Sequence, residues 1–115
     1  MGNPIAHAEI RSTDPDASRA FYGKLFDWTF PEAPEPGYTY IETGIAGALP
    51  GGIGRSPTGQ GQVTFFVDVA DVTAALAKAE SLGGKILMPA TSVPGVEFGV
   101  FADPQGLVIG VSHNG

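Results

Sequence analysis

A strand followed by an aspartate-capped helix occurs twice in this chain, and this repeat constrains the possible folds more than any other feature. In the first copy, residues 5–11 show the alternation of a β-strand. Asp14 is a good N-cap, and Pro15 suits the first helical turn because proline lacks the N–H that would be unpaired there. Apolar side chains then recur at helical spacing, which predicts a helix over residues 15–25.

The second copy has the same order of elements. Residues 62–69 alternate as a strand does, Asp71 is placed to cap the next helix, and Gly83 and Gly84 are placed to end it. Further strands are predicted after both helices, at residues 28–30, 38–44, 48–55, 85–91, 96–103 and 107–113. A tight turn is predicted at residues 103–106, which read Asp-Pro-Gln-Gly.

The two copies predict an α+β protein built from two βαβββ modules. A shift of about 55 residues aligns them, placing His7 on Gln62 and Asp16 on Asp71. The length of 115 residues is that of one domain, so residues 1–115 are expected to form a single domain. Its modules would run over about residues 3–56 and 61–113, with Phe21, Leu25, Leu76 and Leu82 expected in the core.

Composition excludes several classes of function. The formal net charge is −6 and the six basic residues form no run, so no nucleic-acid partner is expected. The chain has no cysteine, which excludes disulfides, thiolate chemistry and cysteine-based zinc sites. No apolar run approaches the roughly 20 residues of a membrane span, so no membrane partner is expected and a cytoplasmic location is the default expectation.

Polar side chains share one face of the first strand in each module. His7 and Glu9 are two positions apart, so both point to the same side, about 7 Å from each other along the strand. Gln62, Thr64 and Phe66 have the same relation in the second module. These faces are available to line a ligand site, a partner surface or solvent.

Three sequence segments resemble the vicinal oxygen chelate superfamily, which includes glyoxalase I, bleomycin-resistance proteins, extradiol dioxygenases and methylmalonyl-CoA epimerase. The segments are His-x-Glu-Ile leading to Ser-Arg-Ala-Phe-Tyr-Gly-Lys-Leu-Phe-Asp-Trp (residues 7–28), Val-Asp-Val-Ala-Asp-Val (67–72) and Phe-Ala-Asp-Pro-Gln-Gly (101–106). The resemblance implies that eight strands form a curled mixed sheet around a cup, with the helices on its outer face. It also implies that the cup holds a substrate or drug and that a homodimer is common.

The resemblance also implies where a metal would be held in related enzymes. The four ligand positions fall on His7, on Gly51, Gly52 or Ile53, on Gln62 and on Gly110. Only His7 and, weakly, Gln62 can coordinate a metal, and a divalent ion needs three or four protein ligands to compete with water. No metal cofactor is therefore expected, and a divalent ion is retained as an alternative.

The leading functional hypothesis is a cup that binds a small organic molecule without a metal. Its ligand-binding residues would be His7, Glu9, Gln62, Thr64, Phe66 and Gly110.

Two alternatives stay open, as does whether the protein is an enzyme. One is a metal-dependent lyase, isomerase or dioxygenase of the glyoxalase type, in which His7 is joined by Glu9, Glu42 or Glu97. The other is a structural or interaction protein with a vestigial cup. Tyr38 and Tyr40 are expected either to line the cup or to pack across strands.

Overall fold

The computed structural model describes residues 2–114, which form two helices and seven strands in an α+β fold. The elements are β1 (Ile5–Ser12), α1 (Pro15–Phe26), β2 (Thr39–Ile41), β3 (Gly51–Arg55), β4 (Gln62–Asp68), α2 (Val72–Ser81), β5 (Lys85–Val93), β6 (Val96–Ala102) and β7 (Val108–Asn114). The chain divides into two compact units: residues 7–63, and residues 64–114 together with residues 2–6.

The first unit has three strands in the order β2-β3-β1. Strand β1 runs parallel to β3, with Glu9 opposite Gly52, and β2 runs antiparallel to β3. The predicted strand at residues 28–30 does not form, since Thr29 makes only an isolated bridge with Glu42. The following Pro-rich segment, residues 31–36, explains this because proline cannot donate to a strand ladder.

The second unit has the order of elements of the predicted βαβββ module, although the first two residues of β4, Gln62 and Val63, fall in the first unit. Its strand order is β4-β7-β6-β5, with β4 parallel to β7 and β6 antiparallel to both of its neighbours. Both units combine parallel and antiparallel neighbours, and the strands of neither unit close on themselves. The prediction of eight strands curled around a cup is therefore wrong in the number of strands and in the curvature.

Both predicted helix caps are confirmed. Asp14 accepts a hydrogen bond from the Ala17 backbone N–H at 3.2 Å, and Asp71 accepts one from Ala74 at 3.0 Å. The two caps are 57 residues apart, so the predicted shift of 55 residues is wrong by two. With the corrected shift, Glu9 of the first unit corresponds to Phe66 of the second.

The predicted core is only partly correct. Leu76 is 2% exposed and packs with Val72 and Val111. In contrast, Phe21, Leu25 and Leu82 are 60%, 57% and 70% exposed. Helical spacing shows which side chains share a face, but it does not show whether another element covers that face.

The Asp-Pro-Gln-Gly turn is confirmed. The Asp103 side chain accepts hydrogen bonds from the backbone N–H groups of Gln105 and Leu107, each at 2.9 Å. Gly106 donates to the Asp103 carbonyl at 2.8 Å and has a φ of +88°, a conformation that suits glycine. No helix within residues 2–114 is long and apolar enough to cross a membrane.

Candidate functional site

Strand β1 places His7, Glu9 and Arg11 at alternate positions, so their side chains share one face. Glu9 is only 2% exposed, which makes it one of the most deeply buried residues of the described chain. A buried carboxylate is costly unless charged or hydrogen-bonding groups compensate it. The neighbours of Glu9 therefore decide what this face can do.

Three side chains surround the Glu9 carboxylate. Tyr38 donates its hydroxyl proton to Glu9 Oε1 at 2.6 Å, and Arg11 forms an ion pair with Oε2 at 2.8 Å. His7 Nε2 lies 2.9 Å from Oε1 and 2.7 Å from the Tyr38 hydroxyl oxygen. Both carboxylate oxygens are thus engaged, and the charge of Arg11 opposes that of Glu9. We call these four residues the Glu9 network.

The hydrogen-bond pattern fixes the role of the His7 ring. The one proton of the Tyr38 hydroxyl goes to Glu9, so the tyrosine oxygen can only accept from His7. We therefore assign a proton to Nε2 of His7, which donates toward both oxygens. A protonated ring nitrogen has no lone pair to give to a metal.

Tyr38 lies flat against β3 because that strand has glycines where side chains would block it. A Cβ at Gly52 would lie 1.6 Å from the Tyr38 hydroxyl oxygen, and one at Gly54 would lie 2.9 Å from the ring. The guanidinium of Arg11 is 5.6 Å from the centre of the same ring. Burial raises the pKa of the Tyr38 hydroxyl well above its usual value, and the negative charge of Glu9 raises it further.

The second unit contains a comparable contact without the polar groups. Phe66 is 7% exposed and faces Gly110 across the β4–β7 pair. A Cβ at Gly110 would lie 2.5 Å from the Phe66 ring. The same ring packs edge to face on Phe98, with the two ring centroids 6.3 Å apart. Thr64, two positions before Phe66, donates its hydroxyl proton to the Val108 carbonyl at 2.6 Å.

These contacts test whether the chain could hold the metal of its relatives. Gly52 is one of the three residues at one implied ligand position and Gly110 stands at another, and an aromatic ring fills the space that a side chain would need at each of these glycines. Among residues 2–114, no group of three or more histidine, aspartate or glutamate side chains could hold a metal ion. The side chains at these positions do not fit the metal site.

A cleft lies beside the Glu9 network within the first unit. Its volume is about 310 Å³, and Arg11 and Tyr38 contribute to its wall. Other lining residues come from the first turns of α1, from the loop before β2 and from the end of β3, namely Pro15, Asp16, Arg19, Glu35, Pro36, Gly37, Gly54 and Arg55.

The structure unites some of the predicted site residues and leaves the others apart. His7 and Glu9 are in direct contact, and Phe66 packs on Gly110. Gln62 is the half-buried first residue of β4. Of the other candidate carboxylates, Glu42 is exposed and its backbone pairs with Thr29.

Sequence reasoning missed Arg11 and left the role of Tyr38 open. Arg11 continues the alternation of His7 and Glu9, so its place on their face could have been read from β1. The pattern Gly52-x-Gly54 was a second signal, because paired glycines on one strand face often mark the close approach of another group. Glu97, the last candidate carboxylate, lies on β6 of the second unit.

Comparison with known proteins places the chain in a family. A model of the Glyoxalase/Bleomycin resistance protein/Dioxygenase superfamily matches residues 4–111. The chain belongs to this superfamily. The superfamily resemblance of the sequence motifs is thereby confirmed.

Individual proteins share less than a third of their residues with this chain. The Mycobacterium bovis protein named "Putative glyoxylase CFP32" is 28% identical over 111 residues, which are 90% of this chain and 42% of that protein. The chain thus spans less than half of the length of this relative.

Two solved structures show the same fold. A variant of Streptomyces coelicolor methylmalonyl-CoA epimerase in complex with 2-nitronate-propionyl-CoA has a TM-score of 0.62 and 19% identity, covering 97% of this chain and 94% of that one. The Mn(II)-bound glyoxalase from Novosphingobium aromaticivorans has a TM-score of 0.63 and 21% identity, covering 96% and 38%. At these identities the likeness extends to the fold alone.

Proposed function

We propose that this superfamily member binds a small organic molecule at the cleft beside the Glu9 network, without a metal ion. The observation that carries the proposal is the closed set of contacts around Glu9. Arg11, Tyr38 and His7 already satisfy the carboxylate and occupy Nε2 of the histidine. A cleft of about 310 Å³ with such polar groups at its wall is near the lower end of the size range of small-molecule sites.

The relatives support this class of function. The epimerase structure named above contains a CoA thioester analogue, so its fold accommodates a small organic ligand. Gln62, Thr64, Phe66 and Gly110 do not line this cleft, so their predicted role in ligand binding stays a prediction separate from this proposal, and for Phe66 and Gly110 packing is an alternative role. A homodimer in the cytoplasm also stays a prediction, and light scattering of the purified protein would measure the oligomeric state.

A library of small aromatic and aliphatic metabolites and drugs tests the proposal. We expect at least one compound to raise the melting temperature, because a ligand at 100 times its Kd stabilises the folded state by about 2.7 kcal/mol. Amide chemical-shift mapping should place that compound on residues 7–63. A library in which no compound shifts the melting temperature or the spectra would overturn the proposal and favour the structural or interaction role.

The two histidines of the chain provide a matched pair of variants. His7→Asn removes a member of the Glu9 network, whereas His113→Asn changes an exposed residue near the end of β7 that contacts the Val69 carbonyl. We expect the first variant to weaken binding of the identified compound and the second to leave it unchanged. Equal effects would show that the compound binds away from the network.

The metal-dependent alternative rests on the proximity of His7 and Glu9, and it requires His7 Nε2 to give up the proton assigned to it above. Titration with Ni²⁺, Zn²⁺ and Fe²⁺ decides between the two functions. Our proposal predicts binding no tighter than millimolar and no difference between the wild type and His7→Asn. Micromolar binding that His7→Asn abolishes and His113→Asn preserves would establish the metal-dependent function instead.

A further inference from the structure

All three arginines of the chain line the same cleft. Arg11 reaches it from β1, Arg19 from α1 and Arg55 from the end of β3. The other three basic residues are lysines, and none of them lines this cleft. In a chain of net charge −6, such a concentration of guanidinium groups is a distinct chemical feature.

Two of the arginines are held in fixed positions by the protein. Arg11 pairs with buried Glu9, as described above. Arg19 donates from Nε to the Thr39 hydroxyl at 2.8 Å and from Nη2 to the Gly37 carbonyl at 2.9 Å, so the plane of its guanidinium is oriented. Pre-oriented guanidinium groups recognise carboxylate and phosphate with little loss of side-chain entropy.

The existing carboxylate partner of Arg19 is easily displaced. Asp16 lies 2.9 Å from Arg19, but the aspartate side chain is 98% exposed. Solvent-exposed ion pairs of this kind contribute little to stability. An incoming anion can therefore take the place of Asp16 without disturbing the core of the unit.

Arg55 is the arginine with the most binding capacity left. It donates to the Thr13 carbonyl at 2.9 Å, and no carboxylate within residues 2–114 forms an ion pair with it. A guanidinium has five N–H donors, so one carbonyl leaves most of them for another acceptor. The lining of the cleft contains two carboxylates, Asp16 and Glu35, and because Arg11 is paired with Glu9, Arg19 and Arg55 are the guanidinium groups that face an incoming anion.

We propose that the cleft selects a small organic anion, whose carboxylate or phosphate group is held by Arg55 and Arg19. This inference rests on the proposed small-molecule binding and adds the chemical class of the ligand. The body of the anion would lie against Tyr38, Pro15 and Pro36, which supply the ring surfaces of the wall. Gly54 and Gly37 also line the cleft and have no side chains that would fill it.

Calorimetry with benzoate, phenyl phosphate and the neutral amide benzamide tests the inference. We expect either anion to bind about tenfold or more tightly than benzamide, because the charge-assisted hydrogen bonds add to the shared ring contact. Affinity should fall as salt is added. Benzoate and phenyl phosphate also distinguish a carboxylate ligand from a phosphate ligand.

Charge-matched variants locate the site. Arg55→Gln should weaken binding of the preferred anion about tenfold and leave benzamide unchanged, and Arg55→Lys should restore part of the loss. Lys85→Gln, an equal charge change on β5 of the second unit, should have no effect. Circular dichroism and the melting temperature confirm that each variant is folded.

The outcomes separate this inference from the function on which it rests. If benzamide or other neutral compounds bind residues 7–63 as tightly as the anions, or if Arg55→Gln leaves anion binding unchanged, the anion inference fails and small-molecule binding stands. If no library compound and no anion binds, both fail.

Discussion

The two units of this protein share one packing arrangement, an aromatic ring on a glycine, but differ in the chemical groups around it. In each, an aromatic ring lies on a glycine of a strand that runs parallel to the first strand of the unit: Tyr38 on Gly52, and Phe66 on Gly110. Tyr38 reaches its glycine from outside the strand pair, whereas Phe66 is itself a residue of the first strand.

The surroundings of the two rings differ. The hydroxyl of Tyr38 contacts a buried carboxylate and a histidine, whereas Phe66 meets a second phenylalanine. The comparison shows that the first unit has a polar group at the glycine position and that the second unit does not. The candidate chemistry therefore lies with Tyr38.

Gly52→Ala should have the largest effect, because the new methyl group must push Tyr38 off β3. The Cβ of the alanine would lie 1.6 Å from the Tyr38 hydroxyl oxygen, so the ring cannot stay in place. We expect the free energy of unfolding to fall by about 3 kcal/mol, from lost packing and from a Glu9 carboxylate deprived of one donor. Urea denaturation measures the loss.

A double-mutant cycle shows whether Tyr38 is the cause. In a Tyr38→Ala background, Gly52→Ala should cost less than about 1 kcal/mol, since nothing then occupies the space. Gly61→Ala is the control, because its Cβ would have only an ordinary contact of 3.7 Å. An equal cost of Gly52→Ala in both backgrounds would contradict the packing described here.

Gly110→Ala should destabilise the protein by a smaller amount, about 2 kcal/mol, from overpacking against Phe66. No charged group loses a partner there, so the decrease in the free energy of unfolding should be the same at pH 6 and at pH 8. Binding at the cleft of the first unit should be unchanged, in contrast to Gly52→Ala. If Gly110→Ala weakened ligand binding as strongly as Gly52→Ala, the functional difference between the two glycine contacts would disappear.

Tyr38→Phe should have the smallest effect, about 1.5 kcal/mol at neutral pH, because the ring remains on β3 and only the hydroxyl is lost. The sign of the pH dependence follows from the raised pKa of Tyr38. Folded Tyr38 keeps its proton at a pH where the unfolded residue, with a pKa of 10.0, loses it. The stability that the hydroxyl contributes is therefore present below pH 10 and declines above it.

Denaturation curves at several pH values check this expectation. The stability difference between the wild type and Tyr38→Phe should narrow as the pH rises above 10. Tyr40→Phe provides the control at a residue that is 43% exposed, with an expected change below about 0.5 kcal/mol. A difference that widens with pH would show that Tyr38 is not buried against a negative charge.

The elements with strong local signals could be predicted from the sequence. Asp14 and Asp71 were recognisable as caps because their side chains act on backbone groups only three residues away. The contact between His7 and Glu9 was accessible for a similar reason, since alternation along one strand determines which side chains share a face.

Features that depend on distant parts of the chain could not be predicted. Tyr38 reaches Glu9 from 29 positions away, and its place depends on the absence of a side chain at Gly52. The exposure of Phe21 depends on what covers α1, which helical spacing does not contain. The predicted strand at residues 28–30 also does not form. Its short aromatic segment favours a strand, but the prolines within residues 31–36 oppose one, and the sequence pattern does not show which effect is larger.

The fit of Tyr38 onto Gly52 also sets the order in which an engineer could introduce new chemistry. A glutamate placed first at Gly52 would enter a position already filled by the tyrosine, and the intermediate would be unstable. Shortening Tyr38 first would open the position and leave the glutamate room. A carboxylate at this one implied ligand position therefore requires the loss of the tyrosine first, and the same two substitutions made in reverse order pass through a destabilised intermediate.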